Sequence, residues 1–278
     1  MDDSAPIPKS AWLPLTPQGV AAFASATSGR LLFVQFLFAV AAAATVGWFL
    51  NWAWTPTIRD AIKVLPDESR IHQGRLEWPG PSPTVLAEGR FIGFAVDLDH
   101  RGEATASSDI VVELGGTDWQ VTSLLGALDL PGLLNTTYPQ AYTIALNQKE
   151  LGPWWGAREP FIIALSMGAT GLILIVFWTL LALLYAPFVR LAAFYANRVV
   201  TLPGCWRLAG AALMPGALFM SAAMVFYGLE AFDLMRLALA FGMHLVVGWF
   251  YLIAATACLP RNPAITPAAA NPFTPDPS

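Results

Sequence analysis

The chain has 278 residues, of which 56% are hydrophobic and only 12% are charged, and its formal net charge is −4. An ordinary soluble domain carries about 25% charged residues, so the composition excludes a water-soluble globular protein of this length. The small negative charge and the scarcity of clustered Lys and Arg argue against a nucleic-acid partner. The two cysteines, Cys205 and Cys258, lie outside the most polar part of the chain, so no disulfide holds that part together.

The N-terminal residues 1–30 are polar at first and then become weakly apolar. Thr16 followed by Pro17 is typical of a helix N-cap and the first helical position. Val20 and Phe23 then supply an apolar face. This pattern predicts a short helix that lies on the membrane surface.

Four long segments contain no Asp, Glu, Lys or Arg, and each reaches the roughly 20 residues that a helix needs to cross a bilayer. The predicted transmembrane helices are residues 31–54, 161–189, 208–229 and 237–260. Residues 190–207 form a connector. The proline-rich residues 261–278 predict a disordered tail.

Residues 55–160 hold most of the charges and predict a small α+β domain inserted between the first two spans. A helix is predicted from Thr55 to Pro66, and a second, short helix is predicted to start at Thr122 or Ser123. Alternating apolar residues predict strands at 71–78, 94–98, 110–114 and 142–146. Gly115 to Asp118 predicts a hairpin turn. The predicted fold class is therefore a four-helix membrane protein with one small α+β domain.

Basic residues in the short loops indicate the orientation. They fall at the same set of predicted span ends: Lys9, Arg30, Arg190, Arg198, Arg207 and Arg261. The positive-inside rule places these ends, and both termini, in the cytoplasm. Residues 55–160 are then extracytoplasmic, and residues 31–54 act as an uncleaved signal anchor.

Four residues are candidates for function. His244 is the ionisable group nearest the middle of a span, and it either handles protons or ligands or hydrogen-bonds a neighbouring helix. Pro215 predicts a kink in the third span, with a gating hinge as the alternative. Trp154 and Trp155 either belong to an aromatic belt at the lipid interface or form a platform on which a sugar stacks.

The segment Asp97 to Glu103 has the acidic spacing of a calcium loop but lacks the oxygen ligands that such a loop needs at its fifth and twelfth positions. We therefore predict that it is a solvent-facing strand end that runs into a glycine turn. The sequence carries no recognisable catalytic motif. It predicts no enzyme activity, no cofactor and no metal.

The chain also carries short motifs: Leu65-Pro66, Ile71-x-x-Gly74-x-Leu76, Asp97-x-x-x-x-Gly102 and Cys205-Trp206-Arg207-x-x-x-x-Ala212-x-x-Pro215. With these motifs, from about residue 16 to residue 260, it resembles the bacterial membrane family catalogued as domain of unknown function 1189. The resemblance implies a cytoplasmic-membrane location and an interfacial helix, one span, an extracytoplasmic domain and a cluster of spans. Some members are labelled as associated with maltodextrin use. The resemblance implies no catalytic residue.

Two classes of function remain. The first is a non-enzymatic accessory protein of the lipid bilayer, whose outer domain senses or binds an envelope partner and whose helices dock another membrane protein or a second copy of the chain. The second is a solute-binding component of a transport system, with oligosaccharides as one class of solute. His244, Pro215 and the two tryptophans motivate the second hypothesis.

Overall fold

The structure is a computed structural model that describes residues 13–102, 107–123 and 134–262. The chain divides into two compact units. The helical unit comprises Met1–Ala42, Gly171–Ser221 and Ala240–Ser278, and the mixed unit comprises Ala43–Thr170 and Ala222–Leu239. The predicted N-terminal residues 1–12, the predicted tail from residue 263 and the predicted short helix at 124–130 lie outside the described residues.

The helices are α1 (Pro17–Ala22), α2 (Ser28–Phe49), α3 (Thr55–Lys63), α4 (Gln148–Tyr195), α5 (Leu202–Ala212), α6 (Met214–Gly228) and α7 (Leu234–Ala257). A 3-10 turn (Phe23–Ser25) follows α1, and a π-helical turn (Leu50–Trp54) joins α2 to α3. Within the described chain, four continuous helical stretches are long and apolar enough to cross a membrane: Ser28–Lys63, Gln148–Tyr195, Leu202–Gly228 and Leu234–Ala257. The described residues thus contain the four long apolar helical stretches that the sequence predicts.

Several predicted ends are wrong. The second predicted span lies within α4, which has 48 residues and begins well before residue 161. The predicted helix start at Thr55 is not a capped end, because α3 continues directly from the π-helical turn. The predicted connector 190–207 is largely helical, since α4 runs to Tyr195 and α5 begins at Leu202 with Thr201 as its N-cap. α4 continues through Pro153, Pro160 and Pro187, so neither the edge of the apolar segment nor a proline ends this helix.

The N-cap predicted at Thr16 is confirmed, because its hydroxyl accepts a hydrogen bond from the Gly19 amide at 3.0 Å. The apolar face predicted for α1 packs into the protein, and its position relative to the membrane stays a prediction. Val20 and Phe23 are 0% exposed and belong to the core of the helical unit. The Arg207 guanidinium adds a hydrogen bond of 2.8 Å to the Ala24 carbonyl. The segment is therefore a buried part of the helix assembly.

Small residues build most of the helical core. Its members that are almost fully buried include Ala39, Ala182, Ala186, Ala193, Ala209, Ala211, Ala212 and Ala255. Gly216 packs against the backbone of α7, since a Cβ added there would lie 2.5 Å from the His244 carbonyl oxygen. A turn at Leu213 separates α5 from α6, close to Pro215, where the sequence predicts a kink.

The strands all lie in the mixed unit. They are β1 (Arg70–His72), β2 (Arg75–Glu77), β3 (Thr84–Glu88), β4 (Ile92–Val96), β5 (Ile110–Leu114), β6 (Asp118–Ser123), β7 (Leu134–Thr137) and β8 (Ile144–Ala145). Among the described residues they form one sheet in the order β2-β1-β8 and another in the order β3-β4-β5-β6-β7. Neighbouring strands are antiparallel except for β4 and β5, which are parallel.

The strand predictions are confirmed in part. β5, the turn after it and its pairing with β6 follow the prediction. The strand predicted at 71–78 is instead a tight hairpin, because Gln73 and Gly74 both have positive φ, as a two-residue turn of type I′ requires. β3 and β7 were not predicted. Thr122 and Ser123, predicted as caps of a helix, belong to β6.

The mixed unit has two apolar clusters. Ile71, Leu76, Val96 and Tyr138 form the centre of the sheet core, with partly buried Trp119 packed against it. A second cluster consists of Phe49, Ala53, Phe91 and Tyr227, which come from α2, the π-helical turn, the β3-β4 connection and α6. The sheet core and the helix ends are thus two separate clusters, and Phe91 from the β3-β4 connection brings the sheet into contact with the second.

Candidate functional site

A histidine held between two carboxylates is the most polar feature of the mixed unit. His100 follows β4 and has a positive φ of 51°. Its Nδ1 lies 2.5 Å from the Glu113 Oε1 of β5, and its Nε2 lies 3.0 Å from the Asp118 Oδ1 of β6. Because both ring nitrogens face carboxylate oxygens, the charged imidazolium can donate two hydrogen bonds. We call these three residues the histidine clasp.

Contacts within the histidine clasp shift the pKa of His100 and of Asp118. The hydrogen bond to Asp118 is the main reason why the pKa of His100 is raised, while partial burial opposes the shift. The same bond lowers the pKa of Asp118. Gln120, the cross-strand partner of Glu113, donates a hydrogen bond of 2.9 Å to the Glu113 Oε1. The charged clasp therefore fastens the loop after β4 to the β5-β6 hairpin.

The geometry of the clasp does not suit a metal ion. Glu113 and Asp118 lie at the two ring nitrogens of His100, which point away from each other, so the three groups cannot converge on one point. The described residues contain no group of three or more His, Cys, Asp or Glu that fits a metal ion. The arrangement can exchange a proton and hold a loop.

The solvent-facing turn predicted for Asp97 to Glu103 is wrong at its first residue. Asp97 is 1% exposed, and its Oδ2 accepts a hydrogen bond from the Gly102 amide at 2.9 Å. The Asp97 Oδ1 is buried and has no hydrogen-bond partner among the described residues. Asp99 does face solvent, where it pairs with Arg101 at 2.7 Å. The segment is thus a closed loop with one buried carboxylate, and residues 103–106 lie outside the described chain.

A second polar arrangement ties the sheet of the mixed unit to the α6-α7 turn in the same unit. The Arg90 guanidinium donates to the Phe232 carbonyl at 2.8 Å and to the Glu230 carbonyl at 3.1 Å. The Tyr227 hydroxyl donates to the Asp109 Oδ2 at 2.7 Å. We call these five residues the turn joint.

Aromatic packing reinforces the turn joint. The ring of Phe91 lies 4.9 Å from the ring of Tyr227 and 5.3 Å from that of Phe49, both edge to face. Such pairs contribute about 0.5–1.5 kcal/mol each beyond their buried area. The end of α2, the start of β4 and the end of α6 are therefore fixed to one another.

A groove of about 500 Å³ lies between α3 and the beginning of α4, and we call it the tryptophan groove. Its lining includes Arg59, Lys63, Lys149, Gly152, Trp155 and Gly156. Beneath α3, a smaller cavity of about 170 Å³ is lined only by apolar side chains, among them Ile58, Ile62, Leu65, Leu86, Val112 and Leu151. Ile62 borders both spaces, so the groove and the cavity are neighbours.

The four residues singled out from the sequence do not form one site. Trp155 lines the tryptophan groove, and its indole nitrogen is buried with no hydrogen-bond partner among the described residues. Trp154 is 45% exposed, and the Arg158 guanidinium lies 4.7 Å from its ring centroid. His244 and Pro215 belong to the helical unit.

His244 does not make the predicted bond to a neighbouring helix. Its Nδ1 contacts the Phe241 carbonyl of its own helix. The Ser221 hydroxyl likewise donates to the Ala217 carbonyl of its own helix at 3.0 Å. Hydroxyl and imidazole groups in apolar helices often bond backbone carbonyls one turn away because no water is present.

Sequence reasoning missed the histidine clasp and the turn joint. A signal existed for half of the clasp, since the predicted β5-β6 hairpin places Glu113 opposite Gln120 and brings Asp118 close. The loop that delivers His100 depends on the parallel pairing of β4 with β5, which leaves no local pattern.

Comparisons with protein-family models, with curated proteins and with solved structures find no match to this chain. The resemblance to the family named above stays a prediction. The four long apolar helices and the mixed sheet fit a helical membrane protein that carries an α/β module.

Proposed function

We propose that this chain is a non-enzymatic accessory protein of a bacterial cytoplasmic membrane, with an extracytoplasmic module that binds an envelope partner and helices that dock another membrane protein. In this proposal both termini are cytoplasmic. The turn joint supports it most, because the sheet that faces a partner is bonded directly to the α6-α7 turn through Arg90 and Tyr227. Binding at the sheet then shifts the ends of two membrane helices together.

Features of the helices agree with a docking role. In α7, large apolar side chains are exposed around much of the helix, including Phe241 at 59%, Val246 at 57% and Phe250 at 63%. Such a surface contacts lipid or a second protein. Polar groups that a transport path would need, such as Thr179 and Thr256, instead donate to carbonyls of their own helices at 2.7 Å.

Purification in mild detergent tests the docking role. We expect one membrane protein to co-purify in stoichiometric amount with the wild type and to be lost with Arg90→Gln, which breaks the turn joint. Arg75→Gln is the matched control, since Arg75 is an exposed arginine of the same unit outside the joint. Solute flux into liposomes that contain this chain alone would contradict the proposal and support a transport component.

The orientation needs its own experiment. After both native cysteines are replaced, single cysteines at Arg75 and at Ser278 should differ in their reaction with a membrane-impermeant thiol reagent in intact cells. We expect labelling at position 75 and protection at position 278. The reverse result would overturn the proposed orientation.

A further inference from the structure

The tryptophan groove combines an apolar interior with a basic rim. Gly152 and Gly156 leave its floor open, because a Cβ added at either residue would meet no atom within 4 Å. Lys63 and Lys149 stand at the rim, while their carboxylate partners, Asp60 and Asp67, do not line the groove. A ligand in this groove meets positive charge at one end and apolar surface along its length.

The two lysines are available to a stronger anion. Lys63 pairs with Asp60 at 2.8 Å with side chains that are 66% and 61% exposed, and Lys149 pairs with Asp67 at 2.7 Å with 76% and 56% exposure. Exposed ion pairs of this kind contribute little because water screens both charges. Arg59 differs, since it makes two hydrogen bonds of 2.9 and 2.7 Å to Glu159, which is almost buried. Arg59 therefore holds α3 to α4, and the lysines remain for binding.

Trp155 supplies an independent sign of a ligand. Its indole N–H is buried and unpartnered among the described residues, although the ring borders the groove. A buried donor without an acceptor costs free energy, so native structures seldom keep one unless another molecule satisfies it. An oxygen atom of a bound molecule would satisfy this donor.

The neighbouring cavity defines the rest of the ligand. Its lining contains no polar residue, and its volume of about 170 Å³ is close to the roughly 150 Å³ of apolar cavities that stay dry and take up small apolar molecules. Ile62 separates it from the groove. A flexible hydrocarbon chain fits such a cavity, and a sugar or a soluble polyanion does not.

We infer that the tryptophan groove and its cavity bind one anionic phospholipid of the surrounding bilayer. The phosphate lies against Lys63 and Lys149, a headgroup or ester oxygen accepts the hydrogen bond of Trp155, and the end of one acyl chain enters the cavity beside Ile62. The groove residues lie just outside the apolar segments 31–54 and 161–189, on the polar ends of the helical stretches Ser28–Lys63 and Gln148–Tyr195. Tryptophan rings favour the headgroup level, and long lysine side chains near helix ends reach toward it.

Photocrosslinking tests the site on the full chain in detergent. The probe is phosphatidylglycerol with a photoreactive group at the end of one acyl chain, and the labelled residues are located by peptide mass spectrometry. We expect labelling of the cavity residues on α3, between Ile58 and Leu65. Unlabelled phosphatidylglycerol should compete, and phosphatidylcholine should compete much less.

Gly156→Leu should abolish this labelling because its side chain fills the groove. Gly168→Leu is the matched control, since Gly168 is an exposed glycine of the same helix that also has open space around it. Lys63→Gln and Lys149→Gln should each weaken binding about fivefold, the loss expected for one basic residue near an anionic lipid.

Three results would overturn the inference: labelling that survives Gly156→Leu, equal competition by phosphatidylcholine, or labelling confined to the lipid-facing surfaces of the long helices. Elution volume and thermal unfolding show whether each variant is folded. If Gly156→Leu fails to fold, the two lysine variants decide, because they change only exposed side chains. The inference is independent of the proposed docking role, whose test is loss of the partner with Arg90→Gln.

Discussion

The mixed unit and the helical unit differ in the partners of several buried polar side chains. In the mixed unit, Glu159 is almost buried and accepts two hydrogen bonds from Arg59, and Glu113 is bonded by Gln120 and His100. In the helical unit, Gln35 is 0% exposed, and neither its oxygen nor its nitrogen has a hydrogen-bond partner within the described chain. Ion pairs and side-chain hydrogen bonds therefore join elements of the mixed unit, although the Asp97 Oδ1 has no partner among its described residues. Close packing of small residues joins the helices of the second unit.

The two units also differ in the size of the side chains that make their apolar contacts. Aromatic rings fill the mixed unit around Phe91, while alanine and glycine bring helix backbones together in the helical unit. Large side chains leave large voids when they are removed, and small ones leave no room when they are enlarged. The two units should therefore fail under opposite substitutions.

The largest effect is expected from Phe91→Ala. Phe91 is 5% exposed and touches the rings of Phe49 and Tyr227, so its loss should lower the free energy of unfolding by about 3 kcal/mol or more. Chemical denaturation in detergent measures this. Tyr142→Ala is the control, because Tyr142 is 70% exposed. An equal loss in the two variants would show that the aromatic cluster does not hold the mixed unit.

Gly216→Ala makes the opposite change in the helical unit. The new Cβ would lie 2.5 Å from the His244 carbonyl oxygen, and such overpacking should cost about 1–3 kcal/mol. Gly242→Ala on α7 is the matched control, since its Cβ would meet nothing within 4 Å and alanine favours a helix by up to about 1 kcal/mol over glycine. The midpoint of thermal unfolding should fall for the first variant and not for the second.

Gln35→Met sharpens the contrast in buried polar groups. Removing an unpaired amide from an apolar interior should raise the free energy of unfolding by about 1 kcal/mol. Gln148→Met, at an exposed position, should leave it unchanged. A lower free energy of unfolding for Gln35→Met would instead show that the Gln35 amide makes a stabilising hydrogen bond in the helical unit.

The smallest effect concerns pH. Because the pKa of His100 is raised in the folded protein, its contribution to stability is full below the unfolded value of about 6.5 and is lost as the pH rises through the folded pKa. The wild type should therefore lose stability relative to His100→Gln as the pH increases above about 6.5. Thermal unfolding across a pH series measures the difference.

His72→Gln serves as the control for this series. His72 bonds the Thr143 hydroxyl and contacts neither carboxylate of the histidine clasp. It should keep the pH dependence of the wild type. A flat difference between the wild type and His100→Gln would mean that the clasp does not titrate in this range.

Local signals in the sequence predicted the helices, several caps and the β5-β6 hairpin. An uninterrupted apolar segment indicates a span, Thr16-Pro17 indicates a helix start, and Gly115 to Asp118 indicates a turn, because each pattern depends on neighbours in the chain. The ends of the long helices were less predictable. Nothing at Phe161 stops a helix that already began at Gln148.

The sites depend on contacts between distant residues, and these left no signal. His100 meets Glu113 and Asp118 only because β4 lies parallel to β5. The bond of 2.7 Å between Tyr227 and Asp109 joins residues far apart in sequence. Trp155 looked like an interfacial tryptophan, and only the packing of α3 against α4 reveals its unpaired N–H. Asp97 was predicted to face solvent, and only the tertiary packing shows that it is buried.

The pairing of β1 with β8 has a consequence for biogenesis. Arg70 lies opposite Ala145 in this sheet, so β1 finds its second neighbour only after the rest of the module has been synthesised. Contacts between such distant residues form late because the loop between them must first close. β8 is followed almost at once by α4. During translation, the small sheet can therefore be completed only when synthesis has almost reached α4.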